Sequence, residues 1–315
     1  MIILIIRVLF LFVLINMKTD KQETLQLIKI KGRDNVPVKW KAQRKYPQFT
    51  ADDLPRNYYI ANIIGSRGSG KTEIMIKLGA MMEKSELKDE DGNTVPMRFI
   101  LFSPTVGTNE KFHSLKNLAD EDIYSEYTED KLNDILQECK EINQDCKEYT
   151  IIKKIFNKYI KNPKALFSNN EKFILEMYDY ELPDPPTYPY GLCTNIIFDD
   201  LIGTEAFSTK RGSSILKAVY NGRHFSLNLF LLSQDIMKIP KTIKTNSALL
   251  IIFRFCQKKV KENIYSEIAG LMTYDKFEQL YDIVTEENHA FFTIDNTQPV
   301  KENRLKKNFE YVIKF

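Results

Sequence analysis

The octapeptide Gly65-Ser66-Arg67-Gly68-Ser69-Gly70-Lys71-Thr72 constrains this chain more than any other segment. It has the pattern of a phosphate-binding loop, and its flanks fit one. The stretch from Tyr58 to Ile64 is apolar and β-prone. After the loop, Ile74, Met75, Leu78, Met81 and Met82 recur at helical spacing. Glycines let backbone N–H groups close around phosphates without Cβ clashes. The start of the following helix adds partial positive charge. Lys71 can reach the β- and γ-phosphates, and the Thr72 hydroxyl can ligate Mg²⁺. Gly65, Ser66, Arg67, Gly68, Ser69, Gly70, Lys71 and Thr72 are therefore all expected to contact ATP.

At 315 residues the chain can bury a large core, as one elaborated domain or two. Its 43% apolar and 28% charged residues fit a soluble globular protein. A formal net charge of +3 does not by itself argue for nucleic acid, but the distribution says more. Between Lys18 and Lys45, Lys21, Lys29, Lys31, Arg33, Lys39, Lys41 and Arg44 outnumber Asp20, Glu23 and Asp34. Lys301, Arg304, Lys306, Lys307 and Lys314 make the C-terminal tail basic, and the segment from Asp120 to Asp145 is acidic. These runs are either surfaces that meet a polyanion or ordinary solvated faces. Cys139, Cys146, Cys193 and Cys256 lack CxxC spacing and read as buried free thiols in a reducing compartment. With three histidines, a zinc site is not expected.

Residues 1–16 are nearly all apolar but include Arg7, and the run is shorter than the roughly 20 residues of a membrane-spanning helix. No small-residue cleavage site follows. We expect this run to be an extension upstream of a start at Met17, with a membrane anchor as the alternative. A basic region then covers 17–56, an NTP-hydrolysing domain 57–300, and a basic tail 301–315. Within the domain, strands are expected at Arg98 to Phe102, Thr194 to Asp200, Leu227 to Gln234, Ala248 to Phe253 and His289 to Ile294, the last of the chain. The helix after Lys71 should run to about Leu87. The charged stretch at about 106–190 reads as helices inserted outside the sheet. Apolar strands alternating with helices predict an α/β fold, with a mostly parallel sheet covered on both faces.

The second half of a nucleotide site is expected at Asp199 and Asp200. An apolar strand that delivers acids at its C-terminal end is where open α/β sheets bind ligands. Asp199 would hold Mg²⁺ through water, and Asp200 would orient or deprotonate the attacking water. Gln234, at the end of the next strand, can hydrogen-bond the γ-phosphate or that water. Arg223 either stabilises transition-state charge in a neighbouring subunit's site or is a surface or DNA-phosphate contact. Lys241 and Lys244 are further candidates for that charge.

The segments GSRGSGKT, FILFSPT, NIIFDD, NGRHFSLNLFLLSQD, IP…N and LLIIF together resemble the genome-packaging ATPases of large eukaryotic DNA viruses and virophages, in the FtsK/HerA superfamily. The resemblance covers about Tyr58 to Asp295, and GRHF…SQ is its most specific part. It implies a RecA-like core with an extra strand between the phosphate-loop strand and the acidic strand. It further implies a homo-oligomeric ring, a hexamer or pentamer, that uses ATP and Mg²⁺ to drive double-stranded DNA into a capsid. Capsid or portal-vertex proteins would then be partners, and the host cytoplasm, viral factory or virion the location. Asp200 stands where glutamate is common, and Lys244 where similar proteins carry arginine. A cellular HerA/FtsK-type translocase or helicase, and a nucleotide-gated switch or scaffold, are the alternatives.

Overall fold

The computed structural model describes residues 46–315 except 52–53, 106–109, 202, 209, 269, 271, 299, 301–302 and 315. The apolar run 1–16 and residues 17–45, 52 and 53 of the basic region lie outside the described residues. Within them, a short antiparallel pair joins β1 (Gln48–Phe49) to β3 (Leu87–Lys88). The main sheet contains β2 (Ile60–Ile64), β4 (Met97–Phe102), β5 (Leu118–Tyr124), β6 (Cys193–Asp199), β7 (Leu227–Ser233), β8 (Leu249–Phe253), β9 (Phe291–Asp295), β10 (Leu305–Lys307) and β11 (Tyr311–Val312). Its strand order is β11-β10-β9-β8-β2-β7-β6-β4-β5. From β8 to β5 all neighbours are parallel, and the β9–β11 end is antiparallel.

Strands β2, β6, β7 and β8 are buried at every position, because helices cover both faces. On one face α1 (Lys71–Lys84) packs Met75, Leu78 and Met82 against Ile63, Phe99, Leu101 and Phe230. On the other lie α2 (Glu129–Lys161), α4 (Ser214–Phe225), α5 (Lys241–Asn246), α6 (Lys258–Ser266) and α7 (Tyr274–Val284), against Ile64, Phe102, Phe198, Leu231 and Ile252. Phe102 and Phe198 stack across adjacent strands at 5.5 Å. The α2 helix extends about 50 Å at 1.5 Å per residue. Its first half buries Leu132, Ile135, Leu136 and Cys139 in the main core. Its far half joins α3 (Asn169–Met177) in a satellite core of Ile155, Phe156, Phe167 and Leu175.

Uniformly apolar strands give no alternation to fix their register. Asparagines supply a marker here. Asn195 and Asn228 are register partners, and Asn228 Nδ2 donates to Asn195 Oδ1 at 3.0 Å and to Asn57 Oδ1 at 2.9 Å. Asn228 Oδ1 in turn accepts from the Tyr59 backbone N–H at 2.9 Å. A buried amide left unmatched by a slip would cost about 1–3 kcal/mol per group.

Four sequence expectations need correction. The stretch 106–190 is not all outside the sheet, because β5 pairs with β4 as an edge strand. Its acidic residues disguised it. Glu121 is exposed, whereas Asp122 is buried and takes a two-pronged bond from Arg98, at 2.7 Å from Nε and 2.5 Å from Nη2. The helix after the loop stops at Lys84, because Leu87 and Lys88 pair with β1. The strand expected at His289 to Ile294 is not the last of the chain, since β10 and β11 in the basic tail extend the sheet past β9. Lys306 is buried 3.8 Å from Asp295, and Lys307 binds Glu287 at 2.7 Å. Cys256 is exposed, while Cys139 and Cys193 are buried.

Arg98 ties β4 to β5 and, through Glu138 at 2.8 Å, to α2. The neighbouring carboxylates push its already high pKa further up, mainly through the hydrogen bond to Asp122. Arg98→Ala is expected to cost about 2–4 kcal/mol, because it strands the buried Asp122 carboxylate. The paired change Arg98→Met with Asp122→Leu should recover most of that loss in urea denaturation.

Candidate functional site

Three adjacent parallel strands end at the same level. Ile64 pairs with Ser233, and Asp199 pairs with Leu232. The phosphate loop begins as β2 ends, and Gly65 N–H donates to the Ser233 carbonyl at 3.0 Å. Gly68 and Gly70 adopt left-handed φ values of 76° and 106°, and Gly70 caps α1. Gly65 has a different constraint. A Cβ there would stand 2.8 Å from Phe253 Cδ2 of β8, so only glycine fits that close approach. The loop turns back on itself through Ser69 N–H to Ser66 O at 3.2 Å.

Lys71 Nζ donates to the Gly65 carbonyl at 2.8 Å and the Ser66 carbonyl at 3.0 Å. Burial lowers its pKa, and Asp200 and Asp199 oppose that shift. Thr72 stands beside it in the first turn of α1. Ser66, Arg67 and Gly68 are exposed at the tip of the loop. The cleft over the loop measures about 550 Å³ and is lined by Gly68, Gly70, Lys71, Thr72, Lys111 and His289, among others.

Asp199 is 5% exposed and accepts from Ser103 Oγ at 3.2 Å. Burial pushes its pKa up, and the Asp200 charge adds to that. Asp200 lies just past the strand with a left-handed φ of 54°. Aspartate tolerates that backbone better than most residues. Gln234 lies one residue beyond the end of β7, and its Nε2 donates to Asp200 Oδ1 at 2.9 Å. The expected pair of acids and the glutamine therefore meet across adjacent strand ends.

Arg223 lies elsewhere. It sits in the last turn of α4 and lines a cleft of about 340 Å³ with Tyr58, Tyr220, Leu227 and Ala248. Leu227 opens β7 and Ala248 immediately precedes β8, so this cleft lies at the opposite end of the strands from the loop. Within one chain Arg223 is not part of the loop site. Lys244 Nζ lies 3.5 Å from Glu267. Lys241 opens α5.

Sequence reasoning missed His289 as a site residue. Its Nδ1 lies 3.0 Å from the Ser69 carbonyl. It also missed Lys111, which lines the cleft and pairs with Glu73 of α1. Ser103 belongs to the FILFSPT segment, which is the only sequence signal for its contact with Asp199. Neither Lys111 nor His289 lies within a motif, and only the folded sheet brings them to the loop.

The phosphate loop after β2, the acids at the end of β6 and the intervening β7 define a P-loop NTPase fold with RecA-like strand order. No family model matches the chain, and no curated protein does. Solved structures with a similar chain path include the genome-packaging NTPase B204 from Sulfolobus turreted icosahedral virus 2 in complex with AMP. That comparison has 13% identity and a TM-score of 0.43, and covers 78% of this chain and 94% of that one. The cytoplasmic domain of the Thermomonospora curvata type VII secretion ATPase EccC gives 14% and 0.39, over 81% of this chain and 25% of that one. The pCW3 conjugation coupling protein TcpA in its monomer form with ATPγS gives 13% and 0.36, over 76% and 57%.

The Asp199 shift sets the sign of a pH effect. A raised folded-state pKa means that the native form holds the proton more tightly than the unfolded chain. The stability this lends is lost as pH rises through the folded value. At neutral pH the ionised carboxylate therefore costs stability when no cation is bound. Asp199→Asn should raise the thermal midpoint of the nucleotide-free protein at neutral pH. The gain should shrink as pH falls through the raised folded value and vanish below the ordinary aspartate pKa, about 3.9.

Proposed function

We propose that the chain is the ATP-hydrolysing subunit of a ring motor that drives double-stranded DNA into a viral capsid. One observation carries the ATPase reading: the loop from Gly65 to Thr72 faces Asp199, Asp200 and Gln234 across aligned strand ends. The DNA-packaging part rests on the resemblance of GRHF…SQ and its neighbouring segments to the packaging ATPases.

Mg²⁺ suits the donors present. Thr72 offers a hydroxyl and Asp199 a carboxylate, and a hard cation that keeps several waters needs little more from the protein. Asp199 would hold it through water, and it would supply neutralising charge at the β- and γ-phosphates. The buried carboxylate, unfavourable alone, becomes favourable beside a divalent charge.

The remaining roles belong to the chain. Backbone N–H groups of the loop hold the phosphates, and the Lys71 ammonium moves from loop carbonyls to phosphate oxygens. Gln234 fixes one oxygen of Asp200, so the other is directed to accept from the attacking water. Arg223 completes a neighbouring subunit's site, reaching it from the opposite end of the strands.

Turnover of purified protein with and without double-stranded DNA, read with its oligomeric state, tests the proposal. DNA-stimulated hydrolysis by a ring supports a motor. Slow hydrolysis that ignores DNA favours the switch reading, and copurification with capsid proteins separates packaging from a cellular translocase. Lys71→Ala should abolish turnover without unfolding. Asp200→Asn should still bind ATP while hydrolysis falls by about two to four decades. Mixing Lys71→Ala with Arg223→Ala subunits should restore hydrolysis that neither supports alone. Full activity of Arg223→Ala by itself would move the finger elsewhere.

A further inference from the structure

We propose that His289 is a positioning residue of the phosphate loop, and that the turn carrying it makes nucleotide affinity depend on the C-terminal sheet extension. The inference rests on the nucleotide-site reading above and adds a residue outside the loop's own sequence.

The Ser69 carbonyl can only accept, so the His289 Nδ1 facing it at 3.0 Å carries the proton. That contact fixes the peptide joining Ser69 to Gly70. A trans peptide places its C=O and N–H on opposite sides. Holding the Ser69 oxygen toward the histidine therefore fixes the direction of the Gly70 N–H as well. Gly70 is where such a brace matters, because its φ of 106° lies in a region that glycine leaves readily. The Ser69 Oγ is buried without a hydrogen-bond partner among the described residues, so none of these anchors the peptide through the Ser69 side chain.

The histidine is itself held in place. Its φ is 64°, a left-handed backbone that histidine and asparagine enter more readily than most residues. Glu287, two residues earlier, binds Lys307 of β10 at 2.7 Å, and the Glu286 carbonyl accepts from Arg254 at 3.3 Å. The α1 helix, which the loop caps, is tied to the same end of the sheet by Lys77 and Glu310 at 3.2 Å. The strands past β9 thus reach the loop through His289 and its helix through Glu310.

The test uses the full chain, a fluorescent ATP analogue with Mg²⁺, and steady-state ATP turnover. His289→Ala should weaken analogue binding about tenfold, the worth of one hydrogen bond to a preorganised loop. The loss should appear in KM, with kcat at saturation retained. His289→Asn keeps a donor and tolerates the left-handed backbone, so it should restore affinity to within about threefold, whereas His289→Phe should not. Thermal midpoints check that each variant folds. Unchanged affinity in a folded His289→Ala protein, or an Asn variant no better than alanine, overturns the brace and leaves the nucleotide site standing. A wild-type protein that binds no nucleotide overturns both.

Discussion

The pairing of β2 with β7, continued by the Gly65 N–H on the Ser233 carbonyl, is the interaction on which the site depends. It sets where the phosphate loop begins relative to the strand that ends at Gln234. The β7–β6 pairing then places Asp199 and Asp200 on the same level. No one segment holds the site. It forms where three strand ends are brought level, and every strand in that trio is buried on both faces.

Charge and burial oppose each other at the centre of this arrangement. Burial pushes the Lys71 pKa down and the Asp199 pKa up, so each is held against its charged form. Both groups are incompletely compensated by the chain itself. A phosphate dianion and a divalent cation supply the complementary charges, which is why such a site gains more from its ligand than an exposed cluster of the same residues would. The low polarity that destabilises the free site strengthens its contacts once they form.

Much of this was legible in the sequence because the signals are local. The loop, its flanking strand and helix, and the acids ending Ile196-Ile197-Phe198 are contiguous patterns. The expected extra strand between loop and acids is β7. What stayed hidden depended on distant partners. Leu118–Tyr124 looked like a charged surface because Asp122 is an acid, and only Arg98 makes its burial tolerable. Lys306 and Lys307 looked like part of an uncompensated basic run because Asp295 and Glu287 lie apart from them in the chain. His289 carries no motif, and its relation to Ser69 spans most of the domain.

The asparagine pair in β6 and β7 has a consequence for how this sheet tolerates change. Leucine, isoleucine and phenylalanine can trade places along these strands with little loss of apolar content. Such exchanges leave the alignment of the strands undetermined to within one step of about 3.3 Å. Asn195 facing Asn228 acts as an alignment mark, near the start of strands whose far ends carry the chemistry. Replacing both with apolar residues would leave a core that is still greasy and still foldable. It would remove the feature that tells one strand how far to slide along the other, and a slide of one residue would carry Asp199 out of line with Leu232. The accuracy of the site is in this sense stored at the end of the sheet opposite the phosphate loop.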